Sequence, residues 1–400
     1  MKEAEFSRAN RWLLPDGVDE VLPPRAAALE LLRRELLDAW EKWGYELVMP
    51  PVIEYLDSLL IGTGPDLDLQ TFKLTDQLSG RMMGVRADMT PQAARIDAHQ
   101  LRRSGPARLC YLGTVLNTRP EGPGRSRNPL QLGAELFGHA GVESDVEIIA
   151  LMIETLRIAG LPTPHLDIGH VGIFRALASE AGLDPDTENR MFDCLQRKAA
   201  GEISELLQDV APGLARDRLA VLTELNGSVE VLGQAGERLA GAGDAVTAAL
   251  RHLWALSSAV ERHIPEVTLH FDLAELRGYR FHTGVVFAAF VPGHGQEVAR
   301  GGRYDRIGEV FGRSRPATGF SADLKTLHSL GAREPQTRPR GILAPWGYAA
   351  DLLAAIRDLR EHGERVVVQL PGQTADPGEL DCDRQLLQEG GAWKVGALNG

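Results

Sequence analysis

The stretch Tyr111–Gly138, YLGTVLNTRPEGPGRSRNPLQLGAELFG, carries the side chains best suited to chemistry. Two apolar runs flank a loop of Gly, Pro, Asn and Arg, the pattern of an antiparallel hairpin with a long tip. In its second strand Gln131 and Glu135 stand four residues apart, so a period of two puts an amide and an acid on one face. An edge strand with a polar face in water would give the same alternation. Asp88 and Thr90, in VRADMTPQAARI, fall where a strand meets a helix that has Pro91 at its first position. For Thr90 the structural reading is an N-cap, since a hydroxyl there satisfies an unpaired backbone N–H; Asp88 is harder to explain that way. The tip GPGRSR can cradle a phosphate through backbone N–H groups with Arg125 or Arg127, but a solvated, mobile loop is the favoured reading.

Other chemistries leave no trace. The chain has no G-x-x-x-x-G-K-[ST], no G-x-G-x-x-G after a strand, no H-E-x-x-H and no G-x-S-x-G. Its eleven histidines show no metal-ligand spacing, and His99, His139, His165, His170 and His270 read as surface or core residues. Neither a metal nor a cofactor is expected. Cys110, Cys194 and Cys382 lie far apart without a C-x-x-C pair, which points to a reducing compartment rather than a disulfide framework.

These residues need a scaffold, and 400 residues with 44% hydrophobic composition provide for two or three domains. The formal charge of −12 argues against a general nucleic-acid or anionic-membrane binder. With no apolar leader in MKEAEFSRANRW and no apolar run of about 18 residues, a cytoplasmic protein is expected. RAAALELLRRELLDAWEKW (25–43) has helical periodicity, stopped by Gly44, and YELVMPPVIEY follows as an extended segment. FKLTDQLSGRMMGVRADMT reads as two strands around a turn. DVEIIALMIETLRIAG is a helix, HLDIGHVG a strand and FRALASEAG another helix. From about 184 to 265 the chain reads as a helical insertion without a convincing strand. Strands return in VTLHFDLAEL, YRFHTGVVFAAFVPG and QEVARGG, with a short helix in YDRIGEVFG. REPQTRPR (333–340) reads as a linker. Residues 341–400 then alternate strand and helix, with DRQLLQEG as the second helix, in a small α/β unit. That unit has five basic and nine acidic residues, a net of −4.

Taken together, helix-then-strand to Pro50, VRADMTPQAARI, QLGAELFG, LRGYRFHTGVVF, GGRYD and ATGFSADLKTL resemble, in order and spacing, the catalytic domain of histidyl-tRNA synthetase, a class II synthetase. The resemblance covers about residues 10–330. It implies an α+β fold: an antiparallel sheet flanked by helices, dimerising through the first helix–strand motif, with the helical insertion placed before LRGYRFHTG. The expected domains are 1–332 as the synthetase-like core, 333–340 as linker and 341–400 as the C-terminal α/β domain. In the family's histidine pocket an acid, a threonine and a glutamine surround the α-amino group and a glutamate faces the imidazole. The matching positions are Asp88, Thr90, Gln131 and Glu135. Arg277 matches the arginine near the substrate carboxylate. Tyr279, Phe281 and His282 fall along the strand read there, and His282 takes the place of the imidazole-side tyrosine.

Where class II enzymes place one arginine on the central hairpin and another in the last motif to hold ATP, this chain has Asn117 and Thr326. Each such preorganised charge contributes about 10² to 10³ in rate. The acid two residues beyond the hairpin arginine is replaced by Arg119, which joins Asp88, Thr90, Gln131, Glu135, Arg277, Tyr279 and His282 in the expected histidine-binding set. No catalytic residue is expected. A pocket without activation chemistry resembles the synthetase-like family that regulates ATP phosphoribosyltransferase, the first enzyme of histidine biosynthesis. That resemblance implies L-histidine as allosteric ligand, a self-dimer, and a hetero-oligomer of about four chains with eight short-form catalytic subunits, without nucleic acid or membrane. The alternatives are an active histidyl-tRNA synthetase and a tRNA-binding sensor.

Overall fold

The computed structural model describes residues 12–60, 65–120, 122, 124–278, 281–333, 340–373 and 379–398. Helix α1 (Arg25–Lys42) opens the fold because Leu29, Leu32, Leu36 and Trp40 recur on one face and are all buried. Trp40 anchors it, donating from Nε1 to Thr155 Oγ1 at 2.9 Å and meeting Phe320 edge-on at 6.0 Å. Then come β1 (Glu46–Leu47), β2 (Ile53–Tyr55), α2 (Leu56–Leu59), α3 (Pro65–Gln70), β3 (Phe72–Thr75) and β4 (Met82–Val85). Strands β2, β4 and β3 form a separate antiparallel sheet. Helix α4 (Thr90–Arg95) runs on into a π-helical turn, Ile96–Leu101. After it come β5 (Ala107–Thr114), β6 (Leu130–Phe137), α5 (Val142–Ile158), β7 (His165–His170) and α6 (Val171–Glu180).

The segment read as a helical insertion holds α7 (Pro185–Gln196), α8 (Ala200–Gln208), α9 (Leu214–Val221), β8 (Asn226–Gly227), α10 (Glu230–Arg238) and α11 (Gly243–His263). The two-residue β8 corrects the expectation of no strand there: Asn226 and Gly227 pair with the edge of β9 (Thr268–Asp272). Strands β10 (Val285–Phe290), β11 (Ala299–Arg303) and β12 (Ala317–Asp323) and helix α12 (Leu324–Leu330) complete the unit.

The main sheet has nine strands in the order β1-β5-β6-β12-β11-β10-β7-β9-β8, antiparallel except for the pairs β1·β5 and β7·β9. This is the α+β architecture expected. The β5–β6 hairpin is interior, flanked by β1 and β12. Along β6, Leu132, Ala134 and Leu136 enter the large core shared with α1, α5, α6 and α11, while Gln131, Gly133 and Glu135 face the other way. The sheet thus separates a large apolar helical layer from a face where polar side chains lie beside a smaller apolar cluster, Leu109, Tyr111, Phe137 and Ala317 under Met89 and Ala93.

Residues 334–400 form a second compact unit. It contains β13 (Gly341–Ala344), α13 (Ala350–Glu361), β14 (Val366–Val368), β15 (Cys382–Glu389) and β16 (Ala392–Ala397), in the sheet order β14-β13-β15-β16. Here DRQLLQEG is a strand, not a helix. Cys382, just before it, and Leu386 within it are buried, and Gly390 and Gly391, at φ +59° and +82°, make a two-residue turn into β16. A Gly-Gly pair between two short runs is a hairpin signal. Most of the segment read as a linker, 334–339, lies outside the described residues.

Candidate functional site

The polar face of the sheet floors a cavity of about 670 Å3. Glu135 lies at its base, only 1% exposed. Its carboxylate accepts from Tyr111 Oη at 2.8 Å and also from Tyr304 Oη. Two close approaches make this arrangement possible. Gly133 lies directly across from Tyr111, and a side chain there would sit 2.5 Å from the phenol oxygen. Gly319 lies directly across from Glu135, and a Cβ would come within 1.5 Å of Oε2. Burial pushes the Glu135 carboxyl up to about 8, with the charge of Asp88 adding to the rise and the hydroxyl bonds opposing it. Both tyrosines are held well above their ordinary value, again chiefly by burial.

Asp88 and Gln131 form a second group. Asp88 Oδ1 accepts from Thr90 N at 2.9 Å and Gln131 Nε2 at 2.7 Å, and Gln131 Oε1 accepts from Met89 N at 2.9 Å. These bonds fix the start of α4 on β6. The capping expectation is corrected: Asp88 supplies the carboxylate for the helix start, whereas the Thr90 hydroxyl bonds Tyr111 Oη at 2.9 Å. Among the described residues no hydrogen bond engages Asp88 Oδ2, which leaves an acceptor facing the cavity.

Arg277 lines the cavity, with Nη2 3.6 Å from Glu275, Nη1 3.7 Å from Glu297, and its guanidinium 5.3 Å from the centre of the Phe290 ring. Phe281 stacks on Tyr304 at 4.9 Å, and His282 meets both rings edge-on. Burial takes the His282 imidazole down to about 4, so it is neutral at pH 7. The reading of LRGYRFHTG as the start of a strand is corrected. Phe281 N and His282 N both bond Gly278 O, a turn, and β10 begins only at Val285. Tyr279 lies outside the described residues. Arg119 is exposed and does not line the cavity, so it is separated from the rest of the expected set.

The hairpin tip is also corrected from a free loop. Arg125 reaches the cavity wall, donating to Gln296 Oε1 at 2.9 Å and to Glu297 at 2.9 and 3.1 Å. Arg127 donates to the carbonyls of Asn117 and Asp16. At the same end Asn117 is buried with its Oδ1 unpaired, and Thr326 donates to Asp323 Oδ2 at 2.7 Å. Sequence reasoning missed Tyr111 and Tyr304 as partners of Glu135, and missed Phe192, Asp193 and Gln196 of α7 as wall residues. For Tyr111 the signal was present: the hairpin register sets it opposite Gly133 and two residues from Glu135. Nothing local marks α7, which reaches the cavity only through the fold.

The cavity's charge is one-sided. Besides Glu135, which burial keeps protonated at pH 7, five acidic side chains line it (Asp88, Asp193, Glu275, Glu297 and Asp323) against three guanidiniums (Arg125, Arg277 and Arg300). Such a site attracts a cationic group and disfavours a polyphosphate.

The comparisons with known proteins match both units. Residues 17–327 match the family model for histidyl-tRNA synthetase, and residues 339–396 match that for the ATP phosphoribosyltransferase subunit HisZ C-terminal domain. A curated relative from Alkalilimnicola ehrlichii, named ATP phosphoribosyltransferase regulatory subunit, is 62% identical over 98% of this chain and 99% of its own length. The chain belongs to the ATP phosphoribosyltransferase regulatory subunit family. A further member from Thioalkalivibrio sulfidiphilus is 60% identical over 95% of this chain and 97% of its own. Among solved structures, one from Bacillus halodurans titled as an ATP phosphoribosyltransferase regulatory subunit/histidyl-tRNA synthetase superposes with TM-score 0.80. It is 28% identical, covering 92% of this chain and 96% of that one. The histidyl-tRNA synthetase from Nostoc shares the fold, with TM-score 0.72 at 17% identity over 94% of this chain and 91% of its own. The regulatory subunit family thus carries a class II synthetase-like core. Among the described residues no helix is long and apolar enough to cross a membrane.

Proposed function

We propose that this chain is a non-catalytic regulatory subunit of ATP phosphoribosyltransferase that binds L-histidine in the cavity over β6 and transmits feedback inhibition to a short-form catalytic subunit. The observation that carries the reading is the pairing of an intact amino-acid pocket with an acidic, arginine-poor nucleotide end. A histidine zwitterion offers an ammonium, an imidazole and a carboxylate. Asp88, with Gln131 and Thr90, supplies acceptors for the ammonium; Glu135, held by Tyr111 and Tyr304, faces the imidazole; Arg277 serves the carboxylate. For this last role Arg277 must exchange its loose contacts with Glu275 and Glu297, both beyond 3.5 Å, for closer ones to the ligand. His282 and Tyr279 belong to the imidazole side by resemblance. Arg119 loses its place in the set, because its exposure outside the cavity offers a ligand there no contact.

The same geometry disfavours ATP activation. Asn117 and Thr326 stand where the synthetase family has arginines, and Arg125, the nearest cation on the hairpin tip, is engaged by Glu297. A self-dimer is favoured by the apolar exposure of Met49, Val52, Ile53 and Met82 along the β2–β4 region, a patch that a monomer would leave in water. The partner and the four-plus-eight stoichiometry rest on the relatives' name and the family resemblance. Two measurements test the reading. Calorimetry of L-histidine with the isolated chain should give one site per chain, and ATP–pyrophosphate exchange with histidine should stay at background. Robust exchange would replace the regulatory reading with an active synthetase. Salt-sensitive binding of uncharged tRNA would favour the sensor.

A further inference from the structure

A second cluster of ligating side chains lies on the same sheet face as the cavity, on the next two strands out, β7 and β9. His165 and Asp167 alternate along β7, and His270 is the direct register partner of Asp167 on β9. Asp167 is in turn paired across β10 with Ala288, a cavity-floor residue, which fixes the face all three share. We propose that His165, Asp167 and His270 form a binding site for a divalent transition metal of the zinc class.

Three observations carry it. First, His165 Nε2 and His270 Nδ1 lie 3.4 and 3.3 Å from the same oxygen, Asp167 Oδ1, and one donor atom from each of the three residues falls within 4.8 Å of the others. Donors about 2.0–2.2 Å from a tetrahedral zinc are separated from one another by about 3.3–3.6 Å, so the two spacings to Asp167 match edges of that polyhedron. Second, His270 Nδ1 is buried yet makes no hydrogen bond, although the carboxylate is close; a simple acid–imidazole pair would aim its proton at the oxygen. Third, among the described residues no lysine or arginine pairs with Asp167, whereas the neighbouring carboxylates Asp272 and Glu275 are taken by Lys198 and Arg277, so the charge of Asp167 is left for a bound cation. Two imidazoles and one carboxylate suit zinc, cobalt or nickel, whereas magnesium and calcium prefer all-oxygen sets. The three side chains are a quarter to a half exposed, which leaves a coordination position open to water and allows exchange.

The test uses the untagged full-length chain, stripped with chelator and studied without histidine, which itself chelates metals. Titrated with Co2+, it should develop the visible absorption of a four-coordinate ion with one equivalent per chain, and Zn2+ should displace it while Mg2+ does not. Asp167→Asn and His270→Ala should each weaken binding by at least about tenfold, the least that even an outer-sphere change costs at such sites. His165→Gln, at the most exposed of the three, should do the same without disturbing the fold, with unchanged circular dichroism as the control. No stoichiometric binding at micromolar metal, equal affinity in all three variants, or displacement of Co2+ by Mg2+ would each overturn the proposal.

Discussion

At the scale of single residues, Glu135 concentrates the physics of the cavity. Its carboxyl stays neutral in the folded chain up to about pH 8, whereas in the unfolded chain it ionises above about 4.5. Between those values the unfolded state binds fewer protons than the folded one, so this group's contribution to stability is complete below about 4.5. It declines as pH rises and levels off above about 8. At about 1.4 kcal/mol per pH unit the loss is on the order of 3–5 kcal/mol. Glu135→Gln removes the titration, so denaturant melts at pH 5 and pH 8 should show wild type losing more stability than the variant; parallel losses would mean that the carboxyl titrates normally. The Asp88 carboxylate does different work, ordering the start of α4 and presenting Oδ2 to the cavity. Asp88→Ala should weaken histidine binding by about 1–3 kcal/mol, read by calorimetry, because a bound ammonium is left short of an acceptor. Gly319→Ala tests the close packing directly. Its methyl group must displace Glu135, and the expected result is lost histidine binding in a chain that still folds, as judged by circular dichroism.

The elements show which of this was legible in advance. The β5–β6 hairpin, the amphipathic α1 and the polar face bearing Gln131 and Glu135 followed from period-two and period-3.6 patterns, which report burial directly. The tip was misread because Gly, Pro and Arg look solvated, and only the fold reveals that Glu297, on the approach to β11, is there to receive Arg125. LRGYRFHTG was misread because its closely spaced aromatics run on into a strand-like apolar stretch, although Phe281 and His282 line the cavity from a turn closed on Gly278 O. The Asp88–Gln131 and Tyr304–Glu135 bonds join distant segments and have no local signature. In the second unit the Gly390–Gly391 turn was a signal overlooked in favour of the leucines of DRQLLQEG. Both glycines take the left-handed conformation, which costs other residues about 1–2 kcal/mol. Gly391→Val in the full chain should therefore speed amide hydrogen exchange in β15 and β16 while leaving the exchange of β5 and β6 unchanged.

For the whole molecule, regulation by a subunit without its own chemistry is a matter of linkage. If histidine held over β6 lowers the activity of a separate catalytic chain by favouring an inhibited assembly, the two binding free energies are coupled. The partner must then alter histidine affinity by the same factor by which histidine alters the partner's. A coupling of about 1–3 kcal/mol corresponds to roughly 5- to 150-fold, a range that titration resolves. The expected outcome is equality: the ratio of histidine dissociation constants without and with saturating catalytic subunit should match the ratio of subunit dissociation constants without and with saturating histidine. Asp88→Ala bears on the same equality, since a chain that holds histidine about 1–3 kcal/mol more weakly should assemble normally yet need correspondingly more histidine for the same change in assembly. If inhibition by histidine persisted undiminished in Asp88→Ala and Glu135→Ala complexes, the effector would act elsewhere, on the partner or at the junction with it. The cavity over β6 would then be a relic of the synthetase fold rather than its sensor.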